Sequence, residues 1–575
     1  MTVSRRAWLK LTAVAAGTLG AGVQAETAAA SLPHGAAPPA TAIIDSHGAG
    51  HDYRAALEAL RQYVDVHLAG YGVPGMTLSV TDTEGFSAVI SAGWSDVAGR
   101  APVTPAHVFQ IGSISKSFCS LGILRLVDAG KLSLDDQIGI LLPGLALPDS
   151  QRITVRHLLT HSSGLPADAP LFPRGGTAQL WRGFEPGSQF SYSNTGYAIL
   201  GALTERLTGL PYHEALTQHV LQPLGLGEIL PRIRNAERSR YAVSYAPYYG
   251  DRPFARYGRL DVAPWINMSA ASGCMAATSR QMARYVRWLI GAGSGKGAPL
   301  LFEASRRLFT SPAIPAVEFG PKAQYAFGLA IVPVDDRPCL HHTGGMVSFS
   351  SSITVDPAAG VGAFASVNAR AEDDYRPREA TAYAIRLMRA VREGRSLPAA
   401  PAVSSATRLD NARALAGHYR AGSDMLELAM AGDGLALIQA GVTRSLQPAG
   451  EGVFTAVGPD DEASGVVVQS ANSSVSSVGW GETLYTPGGA AAPTPPDLAR
   501  LAGVYDSSNP WTGQVEVVAR AGGLWLDGTT PLVPLADGAF RIGLETWGPE
   551  RIRFDGDLDG RPQRLNFSGA DFVRI

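Results

Sequence analysis

The sequence predicts an α+β unit over residues 51–395, followed by two small antiparallel β-barrels over 411–490 and 497–575. Three observations carry that expectation. Within the first stretch some segments space their apolar residues for a helix and others alternate them, so helices and strands share one unit. A run opening with Ser396, Leu397, Pro398, Ala399, Ala400 and Pro401 marks a linker over 396–410. Beyond it the chain repeats itself: Leu415-Ala416-Gly417-His418-Tyr419 returns as Leu501-Ala502-Gly503-Val504-Tyr505.

Composition bounds the rest. A chain of 575 residues exceeds one core and fits about two to four domains. A net charge of -2 and 45% apolar content are those of an ordinary globular chain, and no basic surplus points to a nucleic acid. The three cysteines, Cys119, Cys274 and Cys339, form no paired framework and are expected as buried apolar residues. Cys119 follows Lys116 by three and could face the same groove.

The N-terminal residues 1–25 read as an export signal. Ser4-Arg5-Arg6 precedes a mild apolar run from Leu11 to Val23, too short to span a bilayer, then small residues at Gln24-Ala25. Paired arginines resemble a twin-arginine signal; an ordinary secretory signal is the alternative, and either predicts a periplasmic or secreted protein with no stable membrane span.

Taken in order, residues 26–50, with Pro38-Pro39, are expected to be a disordered lead-in. A helix from Tyr53 to His67 precedes a hairpin of strands Gly75–Thr81 and Ser87–Gly93, turning at Thr83-Glu84-Gly85. A helix begins at Ser113, continues through Ile114, Phe118, Leu121 and Leu124, and ends near Gly130. Ile153 to Pro166 forms a short helix closed by a glycine turn, and Ala198–Leu207 forms an apolar helix. Residues 230–270 lack a period and could wall a cleft, and Thr278–Leu289 is amphipathic. Strands follow at Tyr325–Val334, Ser350–Val355 and Val361–Asn368, then a helix from Ala380 to Val391 past Pro377. In the repeats, Met425–Met430 and Gln514–Val518 alternate. Phe454 and Phe540 share the 86-residue offset of Leu415 and Leu501, as strands of small barrels or sandwiches would.

Chemistry concentrates in three places. Ser113 and Lys116 stand three apart at a helix start, so hydroxyl and amine share one face. A neutral lysine can take a serine's proton, and the helix start offers N–H groups to an oxyanion. The alternative is a capping serine with a solvated lysine. Tyr192-Ser193-Asn194 lies just before a helix; its phenol can share a proton with a lysine and its amide can orient one, or the segment is a helix cap with a packed aromatic. At His342-Thr343-Gly344-Gly345 small residues would let a substrate backbone lie against a strand edge, with the Gly345 N–H as an oxyanion donor, or the segment is a Gly-Gly turn.

Two decoys are set aside. His157 and His161 are spaced four apart, but Leu158 stands where a zinc protease needs glutamate, so both are expected to satisfy loop backbone groups. Gly293-Ser294-Gly295-Lys296-Gly297 has the wrong spacing for a phosphate loop and is expected to be a flexible surface loop. No metal and no cofactor are expected.

The series Ser113-x-x-Lys116, Tyr192-x-Asn194 and His342-Thr343-Gly344 resembles the serine β-lactamase and penicillin-binding protein superfamily, class C-like in its Tyr-x-Asn, over about residues 55–395. The phrases His157 to Pro166 and Glu185-Pro186-Gly187 fit too. The resemblance implies an antiparallel sheet flanked by helices beside a helical subdomain, with the site between them. It implies Ser113 as nucleophile, Lys116 and Tyr192 as coupled base and acid, and Asn194 positioning the substrate amide. It also implies an oxyanion hole from the N–H groups of Ser113 and Gly345, with His342, Thr343 and Gly344 lining the substrate. His342 replaces the lysine of many β-lactamases, removing a fixed charge that would hold a substrate carboxylate. That favours D-aminopeptidases, D-amino-acid amidases and esterases, and a catalytic unit with two barrels resembles the D-aminopeptidase group, whose barrel loop limits substrate entry; barrels that are passive spacers or wall-binding modules are the alternative.

The expected function is therefore an exported serine hydrolase of amides or esters, favouring D-amino-acid peptides, with peptidoglycan as a source of substrate. The alternatives are a β-lactamase-type carboxylesterase and a penicillin-binding or sensor protein with little turnover.

Overall fold

The computed structural model describes residues 41–46, 50–147, 152–173, 179–249, 253–295, 300–370, 375–403, 405–459, 463–471, 474–489, 493–508, 511 and 513–575. The expected export signal, residues 1–25, lies outside them. The expected lead-in needs a correction: Ala42–Ser46 is a strand on the edge of the main sheet, in register with Ser91 to Ser87. Two β-branched residues, Ile43 and Ile44, favour extended backbone, and the hairpin's outer strand offers unpaired N–H and C=O groups to it.

The main antiparallel sheet runs Ala42–Ser46, Ser87–Asp96, Gly75–Asp82, Val361–Val367, Ser350–Asp356, Arg337–Gly345, Ala330–Val334, Gln324–Tyr325 and Ile314–Pro315. Alternation sends Met76, Leu78 and Val80, with Ala363 and Ala365, to one face, under the helices Arg54–Tyr71 and Arg378–Arg392. Thr77 and Thr81 turn to the other face, beneath the helix Ser279–Ser294. There Thr77 Oγ1 and Ser279 Oγ are 2.6 Å apart, and Arg287 donates to Thr81 Oγ1 at 2.8 Å.

Helix ends follow their glycines rather than the apolar pattern. The first helix runs past His67 to Tyr71, because Gly72, at φ 64, is the residue that takes the left-handed stop. Thr278 caps the helix Ser279–Ser294 in a reciprocal box with Gln281. Gly293 therefore lies in that helix's last turn, which corrects the expected surface loop; Lys296 and Gly297 lie outside the described residues.

Two strands differ from expectation. The run Tyr325–Val334 breaks after Tyr325: Ala326 N–H donates to Leu329 O at 2.8 Å and Gly328 takes φ 82. Residues Arg337–Gly345 are a nine-residue strand rather than a turn. Their pairing with Ala330–Val334 stops at His341, while His342–Gly345 pair only with Ile353 to Ser350 among the described residues, leaving one edge open.

The helical subdomain packs Ser115–Asp128, Val155–Leu159, Asn194–Thr208 and Tyr212–Leu216 into one core, with Ile114, Phe118, Leu121 and Leu124 inside it. Behind the catalytic unit, eight strands from Gly417–Ala421 to Thr483–Tyr485 curl until Arg420 bridges Thr486. The next eight close fully, Gly503–Asp506 pairing with Ala570–Arg574. The repeat has a physical basis: Tyr419 donates its hydroxyl to Leu415 O and Tyr505 to Leu501 O, both at 2.8 Å. Phe454 and Phe540 each fall on the fifth strand of their barrel.

Candidate active site

Ser113 sits in a single 3-10 turn, Gly112–Ile114, that leads into the helix Ser115–Asp128. Ser113 is half-buried and Lys116 is 0% exposed. The Lys116 ammonium donates to Ser113 Oγ at 3.1 Å, to Ser272 O at 2.6 Å and to Asn194 Oδ1 in a short contact. Its nitrogen also lies 4.8 Å from the Tyr192 ring centroid and 5.5 Å from that of Tyr197. Burial disfavours the charged form, and the amine is pushed from 10.5 down to about 7 although the Asp168 carboxylate pulls the other way.

Tyr192 and Asn194 arrive together because Ser193 caps the helix Asn194–Thr208, accepting from Gly196 N–H at 3.0 Å. The cap and the packed aromatic are both present, and they place the Asn194 amide against Lys116. Burial pushes the Tyr192 phenol well up, partly offset by the nearby Ser113 hydroxyl. The amine is thus the group nearer deprotonation at neutral pH, and the tyrosine stays a phenol.

The strand Arg337–Gly345 closes the other side. Gly112 takes φ 53, and a Cβ there would lie 2.6 Å from Gly345 N. At Gly344 a Cβ would meet Ile111 O at 1.9 Å and Ser351 Oγ at 2.3 Å, so no larger residue fits beneath the serine turn. Thr343 is half-buried on the same strand. His342 is 1% exposed; its Nδ1–H donates to Thr343 O at 2.6 Å and its Nε2 meets the Tyr325 hydroxyl at 3.1 Å. Burial first, then the nearby Lys116 charge, hold it down at about 3, so the imidazole is neutral.

The structure thus brings Ser113, Lys116, Tyr192, Asn194 and Gly345 around one point, with His342 behind the Tyr192 ring at a centroid distance of 6.2 Å. His161 and His157 take the backbone-satisfying places expected of them: His161 Nδ1 accepts from Ser193 N–H at 3.0 Å and His157 Nδ1 from Thr154 N–H at 3.2 Å. Among the described residues no group of three His, Cys, Asp or Glu side chains is placed to hold a metal ion. Cys119 is buried, its thiol pushed up to about 12 by burial although the nearby Lys116 charge pulls the other way.

Several participants escaped the sequence reading. Asp168 accepts from Asn194 Nδ2 at 2.9 Å, Ser272 supplies a carbonyl to Lys116, and Phe319 and Tyr325 extend the aromatic wall beside Tyr192 and His342. A carboxylate two residues past Leu165-Pro166 was a visible signal for the first; a backbone carbonyl carries none.

A family model described as Beta-lactamase matches residues 60–388. The chain belongs to the β-lactamase family. It is 29% identical over 309 residues to "Penicillin-binding protein 4" of Amycolatopsis lactamdurans, covering 50% of this chain and 79% of that one. It is 30% identical over 180 residues to "Beta-lactamase" of Escherichia coli K12, covering 30% of this chain and 48% of that one. With "Penicillin-binding protein 4*" of Bacillus subtilis the identity is 29% over 174 residues, covering 28% of this chain and 38% of that one. The chain therefore spans less than half the length of the last two. In fold it is similar to the octameric penicillin-binding protein homologue from Pyrococcus abyssi, with a TM-score of 0.52 and 24% identity over 73% of this chain and 98% of that one. The matched region coincides with the sheet and helices that carry the site. This is a β-lactamase-family, penicillin-binding-protein-like serine hydrolase fold followed by two eight-stranded barrels.

Proposed function

We propose that this protein is an exported serine hydrolase that forms an acyl-enzyme on amide or ester bonds, with D-amino-acid peptides or amides as its favoured substrates. The observation that carries the reading is the Lys116 amine, fully buried, 3.1 Å from Ser113 Oγ and pushed to about 7. As Ser113 Oγ bonds to the substrate carbonyl carbon, its proton passes to neutral Lys116. The carbonyl's electron pair moves onto oxygen, which the N–H groups of Ser113 and Gly345 stabilise. Collapse expels the amine or alcohol, which takes a proton back from Lys116 by way of the Tyr192 hydroxyl. Water then repeats the sequence on the acyl-enzyme. Asn194 holds Lys116 and offers its amide to the substrate.

The neutral, bonded state of His342 removes one cation that could hold a substrate carboxylate, which supports neutral amides and esters; the Arg376 guanidinium, which a Cβ on Gly345 would meet at 2.4 Å, is the cation that stays at this edge. Residues 1–25 support export, and peptidoglycan-derived peptides would then be within reach. Trp511, in the loop between Gly503–Asp506 and Gln514–Arg520, packs against the cluster of Phe109, Met346 and Phe349, which supports a gating role for the second barrel. Deleting residues 411–575 tests gating; an unchanged substrate profile would exclude it.

The deciding experiment exposes purified protein to a fluorescent penicillin, D-Ala-p-nitroanilide and p-nitrophenyl esters. Anilide turnover that is lost in Ser113→Ala is expected. Turnover of esters alone would establish the carboxylesterase, and labelling without turnover a penicillin-binding or sensor protein, penicillin binding being what two relatives are named for. The absence of both labelling and turnover would refute the hydrolase.

A further inference from the structure

The second barrel meets the catalytic unit at a buried carboxylate that the chemistry above does not use. Glu550 is 6% exposed and immediately precedes the strand Arg551–Leu558. Its Oε1 accepts from the backbone N–H of Ala167 at 2.7 Å and its Oε2 from the Ser568 hydroxyl at 2.5 Å. Among the described residues its bonds come from a hydroxyl and a backbone N–H, and burial pushes its pKa up. A buried carboxyl is costly unless its bonds are worth having, so what this one holds matters.

It holds the segment on which the Asn194 helix begins. Pro166 O accepts from Ser193 Oγ at 2.7 Å, so the Pro166–Ala167 peptide is gripped by Ser193 at one end and Glu550 at the other. Ala167 O accepts from Asn194 N–H at 2.6 Å and Thr195 N–H at 3.1 Å, and Ala169 O accepts from Thr195 Oγ1 at 2.8 Å. Asp168 takes the Asn194 side-chain amide at 2.9 Å, which turns Asn194 Oδ1 onto Lys116. Ala167 itself packs in the second barrel's core, beside Ile552 and Phe567. Four consecutive residues thus fasten the Asn194 helix, and on the barrel side they are held by the Glu550 carboxylate and by the packing of Ala167, with Trp181 Nε1 donating nearby to Pro549 O at 2.5 Å.

We infer that Glu550 is a positioning residue: through Ala167 it fixes the start of the Asn194 helix, and so makes the second barrel a working part of the Ser113–Lys116–Asn194 site. This rests on the proposed function for its kinetic consequence only.

The test uses the full chain and a fluorophosphonate, which labels an activated serine whatever the natural substrate. Glu550→Ala should slow Ser113 labelling about tenfold or more, and Glu550→Gln, which keeps an acceptor oxygen, should stay within about threefold of the wild type. Trp181→Phe breaks a neighbouring bond of the same interface and should also stay within about threefold. In an Asn194→Ala background, Glu550→Ala should add nothing, since the two would act through one contact. Should Glu550→Ala be too unstable to purify, Glu550→Asp, which withdraws the carboxylate by one methylene, takes its place with the same expected outcome. Amide hydrogen exchange gives a readout free of chemistry: Glu550→Ala should speed exchange at Asn194 and Thr195, and Trp181→Phe should not. Normal labelling in Glu550→Ala, an equal loss in Glu550→Gln, a full loss persisting without Asn194, or unchanged exchange would each overturn the inference. A wild-type chain that is not labelled would remove the hydrolase reading, and the exchange result would still decide the role of Glu550.

Discussion

Replacing Lys116 by Met should abolish the protein's chemistry while lifting the cost of a buried amine, and the stability difference from the wild type should depend on pH in one direction. Lys116 is fully buried, and burial takes its pKa from 10.5 to about 7. Between those two values the unfolded chain keeps its proton while the folded chain releases it. The unfolded state then binds more protons, so stability rises with pH across that window. Below about pH 7 the lysine is charged in both states and the folded state carries the whole cost, which for the interval between 10.5 and about 7 is about 5 kcal/mol. Methionine fills a similar volume without charge. It leaves Ser272 O and Asn194 Oδ1 without their donor, at about 1–3 kcal/mol each and so about 2–6 kcal/mol together. At pH 6 Lys116→Met should therefore lie between about 3 kcal/mol more stable and about 1 kcal/mol less stable than the wild type, and the difference should move against the variant by about 1.4 kcal/mol per pH unit as pH rises above 7. Urea unfolding of both proteins at pH 6, 7, 8 and 9 reads this directly. Taking the difference cancels groups common to both, among them the buried thiols of Cys119 and Cys274. A difference that stayed constant from pH 6 to 9 would refute the idea that burial has unloaded this amine.

The same amine sets a rate profile: Ser113 labelling should climb with pH and level off above about 8, as Lys116 becomes neutral, and a flat rate from pH 5 to 9 would point to another base. Ser113→Ala should cut hydrolysis about a thousandfold or more with the fold intact by circular dichroism, and near-normal rates would send the search to another nucleophile. Gly344→Ala should be among the most damaging small substitutions. Its Cβ would lie 1.9 Å from Ile111 O, and thermal unfolding should show a loss of about 3 kcal/mol or more together with lost labelling. His342→Lys should tighten binding of substrates that carry a free carboxylate relative to their amides. Unchanged relative KM values would mean that the position does not face the substrate.

Much of the site was legible because its spacing is local. Ser113 and Lys116 share a helical turn, and Ser193 announces the helix that delivers Asn194, so short-range geometry places these groups whatever surrounds them. The strand Arg337–Gly345 was harder to read, because its four C-terminal residues pair on one side only and include two glycines, which look like a turn until Ser350–Ile353 supply the register. The break after Tyr325 was hidden for a similar reason. A Cβ at Gly328 would lie 2.8 Å from Lys116 O, a contact between segments more than two hundred residues apart.

By itself the sequence determined most of the order of helices and strands, the doubled barrel with its paired Tyr419 and Tyr505, and the identity of the serine, lysine, tyrosine and asparagine that meet. Only the tertiary structure decided the state of those groups. Whether Lys116 is a solvated cation or a base near neutrality depends on Tyr192, Tyr197 and Ser272 closing over it; whether Asn194 faces it depends on Asp168 and on a segment bound to Glu550. Spacing along a chain is a property of neighbours, whereas desolvation and orientation sum over everything that packs around a group, and that sum exists only once the chain has folded.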